Sequence, residues 1–69
     1  MNVFVLSYKN RDDQSSGWSV IGVYRTKEAA IKEAETGLID WSHEKAGDIV
    51  ASGSQKPLTY MVEELRIHD

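Results

Sequence analysis

The stretch Ile21–Ala34, IGVYRTKEAAIKEA, decides the fold, because the hydrophobic period changes inside it. Its first residues close a β-branched and aromatic run, Trp18–Arg25 (WSVIGVYR), that reads as a strand. Thr26 then stands where a helix needs an N-cap, since its hydroxyl can accept from an orphan amide of the first turn. Glu28 falls in that turn, where the helix dipole favours negative charge, and it is spaced to pair with Lys32. Steps of about 100° per residue place Ala30, Ile31, Ala34, Gly37, Leu38 and Trp41 on one side. Lys32, Glu33, Glu35, Asp40, His43 and Glu44 fall mostly on the other. The spacing predicts one helix from Lys27 to about Lys45, with Leu38 and Trp41 on its buried face and Gly47 as the residue that ends it.

Asn2–Tyr8 (NVFVLSY) reads as the first strand, with Phe4, Leu6 and Tyr8 pointing one way and Val3 and Val5 the other. Lys9–Gly17 (KNRDDQSSG) is polar and rich in turn formers, and reads as an exposed, mobile loop dispensable for folding. Asp48–Ala51 is long enough for a short strand, and Ser52–Pro57 reads as a turn or loop. Leu58–Ile67 (LTYMVEELRI) is the final strand. Its apolar residues split between the two parities, so a bulge near Glu63–Glu64 is expected. The expected class is α+β: a small antiparallel sheet of three or four strands, order ββαβ or ββαββ, with one long helix packed on one face. Residues 1–69 make a single domain.

Composition narrows the function. The chain has 69 residues and no cysteine, so disulfides and thiolate metal sites are excluded. The N-terminal segment lacks a basic region and a long apolar run, and no stretch reaches the length of a membrane span. A cytoplasmic protein is expected. The net charge is −3, with cations scattered along the chain, which argues against a nucleic-acid partner.

The junction IGVYRTKEAAIKEAE, a first strand like VFVLSY, a GVY turn and a closing strand like YMVEELRI ending in an acidic residue resemble a family of very small bacterial and phage domains of unknown function. The likeness covers Asn2–Tyr8, Val20–Glu35 and Tyr60–Asp69, and the chain departs from it in a longer stretch, Thr36–Gln55. The resemblance implies a ββα(β)β fold. It brings no activity and no catalytic residues. Small phage proteins often act by binding a host protein, an association rather than a derivation.

No residue pattern points to chemistry. His43 and His68 lack ligand spacing, even with Asp40 and Asp69 nearby in sequence. Asp12–Asp13 lack the distal ligands of a calcium loop. Glu63 and Glu64 are adjacent on a strand, so they face opposite ways and cannot flank one substrate. Neither an enzyme nor a cofactor is expected. Both faces of the first hairpin are apolar, while one helix covers only one face. The expectation is a non-enzymatic protein-interaction module that dimerises or binds another protein, such as a phage or bacterial accessory protein acting on a host complex. Its surface would carry Val3, Val5, Trp18, Val20 and Tyr24, with Phe4, Leu6, Ile21 and Val23 as the alternative set and the Ala46–Lys56 segment as a possible cover for that face. One alternative is a small-ligand sensor for a nucleotide or metabolite, with a pocket lined by Trp18, Tyr24 and Trp41. Another is a structural subunit of a larger assembly.

Overall fold

The computed structural model describes residues 1–12, 17–34, 39–55 and 57–67. The chain runs through β1 (Asn2–Asn10), β2 (Ser19–Tyr24), α1 (Lys27–Ala34), β3 (Asp40–Ser42), β4 (Ile49–Gln55) and β5 (Leu58–Arg66). The strands form a five-stranded sheet in the order β2-β1-β5-β4-β3, with every neighbouring pair antiparallel. The two longest strands, β1 and β5, lie side by side at the centre, and their register runs unbroken from Asn2 opposite Arg66 to Asn10 opposite Leu58.

This corrects the expected class. The molecule is mostly β, with a short helix of eight residues in place of a long one. Asp40–Ser42, read as helix, is an edge strand paired with Ser52–Ser54. The sequence after Glu35 explains why: Thr36, Gly37, Asp40, Trp41, Ser42 and His43 are all poor helix formers, and the apolar stripe alone carried the prediction. Trp41 is packed against the core, but from β3, where its ring meets Tyr60 at a centroid distance of 6.3 Å. Leu38 and Gly37 lie outside the described residues.

Ser52–Gln55, read as a loop, belongs to β4. Serine and glycine have low strand propensity, but Gly53 is buried at a close crossing. A Cβ there would stand 2.7 Å from Ile39 Cγ2 and 3.1 Å from the Asp40 carbonyl oxygen, so only glycine lets β3 approach. The expected bulge in the last strand is absent from its pairing with β1; irregularities fall instead in β2, where Ile21 is the extra residue, and in β4 between Ile49 and Ala51. Gly47 does not end a helix. It takes φ 61° in the turn between Ala46 and Ile49, whose backbones exchange hydrogen bonds of 2.9 and 3.0 Å.

The N-cap is as expected. The Ala29 amide donates to Thr26 Oγ1 at 3.0 Å, and the Ala30 amide to the Thr26 carbonyl at 3.3 Å. From there α1 lies over β1, β2 and β5 and buries Ala30 and Ala34. The core beneath it is Leu6, Ala51, Tyr60 and Val62, with Leu6 and Val62 directly opposite each other. Small helix residues over a Leu–Val pair allow the close approach of helix to sheet.

Candidate functional site

Register assigns the two faces of the sheet. Leu6, Tyr60 and Val62 are buried under α1, so residues paired with them share that side: Phe4 with Tyr24 and Glu64, Tyr8 with Tyr60, Gly53 with Tyr60 and Trp41. The other parity forms the open face. It carries Val3 opposite Leu65, Val5 between Val23 and Glu63, and Ser7 between Val20 and Met61. Ile49 sits beyond Glu63 on β4. These residues make a continuous apolar patch over β2, β1 and β5. Its rim is exposed, Val20 at 64% and Val23 at 59%.

The five residues expected on an interaction surface fall in different places. Val3, Val5 and Val20 share the open face, and Trp18 is exposed just before β2. Tyr24 lies on the helix side, where its ring reaches over Gly22. Val23 takes its place. The cause is the bulge at Ile21, which puts Val20 and Val23 on one face although they are an odd number of residues apart. Of the alternative set, Phe4 and Leu6 are on the helix side and Ile21 is exposed at the bulge. The Ala46–Lys56 segment does not fold across the open face; its described residues extend the sheet as β4. Among the described residues, no second layer covers that face.

Toward β3 the open face turns polar. Ser42, Ser52, Ser54, Thr59 and Asp40 surround a shallow depression of about 250 Å³ beside Arg11. Arg11 is fixed there, its Nε donating to Thr59 Oγ1 at 2.8 Å and its amide to the Pro57 carbonyl at 2.8 Å. The start of the expected mobile loop is therefore tied down: Lys9 and Asn10 belong to β1, and Asn10 Oδ1 accepts from the Asp12 amide at 2.9 Å. Residues 13–16 of that loop lie outside the described residues.

The three aromatics proposed to line a pocket are not brought together. Tyr24 and Trp41 lie on strands at opposite edges of the sheet, and Trp18 lies beyond the far end of β2 from Tyr24. Two clefts of about 360 Å³ each lie elsewhere. One is lined by Phe4, Val50, Glu64 and the Arg25–Glu28 segment, the other by Asn2, Lys45, Asp48, Glu64 and Arg66. Glu63 and Glu64 face opposite sides, as strand geometry requires, and Asn2 Nδ2 donates to Glu64 Oε2 at 2.7 Å. His43 is exposed, while His68 and Asp69 are outside the described residues. Among the described residues no group of three or more His, Asp or Glu side chains is placed to hold a metal ion, and no helix is long and apolar enough to cross a membrane. Scans against protein-family models, curated proteins and solved structures each return no match, so the chain's own geometry carries the functional argument.

Proposed function

We propose that this protein is a non-enzymatic interaction module that binds protein through the open face of its sheet. One observation carries the reading: the continuous patch of Val3, Val5, Val20, Val23, Met61 and Leu65 on a face that no described residue covers. An antiparallel sheet with one solvated face ordinarily alternates to polar residues there. Contiguous exposed apolar area rimmed by polar groups marks interaction surfaces in small proteins. A bacterial or phage accessory role, in which the module binds a host protein complex, fits this surface.

The test is affinity capture with the parent chain and with Val23→Glu. A protein retained by the parent, lost with Val23→Glu and retained with the helix-surface variant Lys32→Glu supports the reading. Equal retention by all three refutes it. The small-ligand sensor reading draws only on the clefts beside α1 and Lys45, and stabilisation of the chain by a nucleotide or metabolite in a thermal melt would favour it instead.

A further inference from the structure

Glu63 is half-buried on β5 inside the apolar patch. Across the open face it stands between Val5 of β1 and Ile49 of β4, and along its own strand between Met61 and Leu65. Among the described residues nothing donates a hydrogen bond to its carboxylate or pairs with its charge. A carboxylate ringed by apolar side chains loses hydration whenever that face is covered, and is tolerated there only if a cation or donor meets it. Lys9 stands at the rim of the same face, on β1 opposite Thr59, exposed and without a partner among the described residues. The pair Ser7–Met61 lies midway between the Lys9–Thr59 pair and the Val5–Glu63 pair.

We infer that a second copy of this chain occupies the open face, related by a two-fold axis that runs across the strands through the Ser7–Met61 row. This rests on the protein-binding reading of that face and names its partner. Rotation about such an axis exchanges the rows on either side of it. Lys9 of each copy is thereby brought above Val5 of the other, one strand from Glu63. Packed sheets lie about 10 Å apart, a gap that a lysine and a glutamate side chain bridge together. The contact is self-complementary, so each ion pair forms twice. Ser7, already enclosed by its neighbours, and adaptable Met61 fall on the axis. The area is sufficient. A standard interface takes about 800 Å² from each partner, roughly a sixth of this chain's 4935 Å² surface. The broad face of a molecule measuring 39 × 26 × 20 Å offers an area of that order.

Sedimentation equilibrium across a dilution series at low salt tests the arrangement, with circular dichroism confirming that each variant is folded. The parent should be dimeric. Lys9→Glu and Glu63→Lys should each raise the dissociation constant about tenfold or more, since each sets like charges together. The double variant carrying both changes should return to within about threefold of the parent, because the swapped pair is again complementary. If Glu63→Lys does not fold, Lys9→Met with Glu63→Gln serves, and the parent's loss of affinity in high salt should vanish in that variant. A parent that stays monomeric at all micromolar concentrations overturns the inference, as does a double variant no tighter than the weaker single one. A monomer that still captures a different protein through Val23 would overturn the second copy while leaving the protein-binding reading in place. A dimer untouched by Val23→Glu would place the self-contact elsewhere and overturn the second copy on this face.

Discussion

Thr26 is a single side chain with a measurable duty. It caps α1 by accepting from the Ala29 amide at 3.0 Å. Thr26→Ala should cost about 1 kcal/mol in urea unfolding, and Thr26→Asp should restore most of it. Gly53 is constrained differently. Gly53→Ala would push a methyl group against Ile39 Cγ2 and Trp41 Cδ2 at the β3–β4 crossing. Overpacking of this kind should cost about 1–3 kcal/mol, and the near-ultraviolet signal of Trp41 should change with it. Leu6, wholly buried opposite Val62, should lose about 2–5 kcal/mol on truncation to alanine. The cap was legible in the sequence because capping is local: hydroxyl, spacing and acidic first turn all sit within a few residues. The role of Gly53 was not, because the atoms that forbid a side chain there come from Ile39–Trp41, folded back across the sheet.

Among the segments, β1, β2 and β5 were readable because β-branched and aromatic residues crowd each of them. Strand β3 and the second half of β4 were not, although Asp48–Ala51 was read as a short strand. Asp40–Ser42 has no strand signature of its own, and Ser52–Gln55 is held in the sheet only by β5 on one side and β3 on the other. The helix start was legible and its extent was not, since an apolar stripe at helical spacing ran on through Trp41. At the candidate site the strand reading put Tyr24 in place of Val23 and left out Met61 and Leu65: the bulge at Ile21 decides which valines share a face, and a bulge depends on the partner strand. The helix has eight residues, too few to stand alone. A peptide spanning Arg25–Ala34 should show little helicity in water, and the intact chain should lose its helix and sheet signals in one transition as it is heated.

At the scale of the molecule, the buried core is thin: among the described residues two large side chains, Leu6 and Val62, are fully enclosed. A chain of this size is marginal unless more apolar surface is covered. If the open face is covered by a second copy, the melting temperature should rise with protein concentration, and a melt repeated across a hundredfold dilution checks this. A constant melting temperature would mean that the core under α1 suffices. The central pairing of β1 with β5 joins residues far apart in sequence, so folding should take milliseconds to seconds rather than microseconds, as stopped-flow tryptophan fluorescence would show. The two outer strands differ in a way that bears on concentrated solutions. β2 is six residues long and uncharged, whereas β3 is three residues long and carries Asp40. Filaments that grow strand by strand need a receptive edge on each side of every added copy. Were copies to join β2 to β2, the receptive edge of both would be used up and a short acidic strand left at each outer end, so growth strand by strand would stop at two.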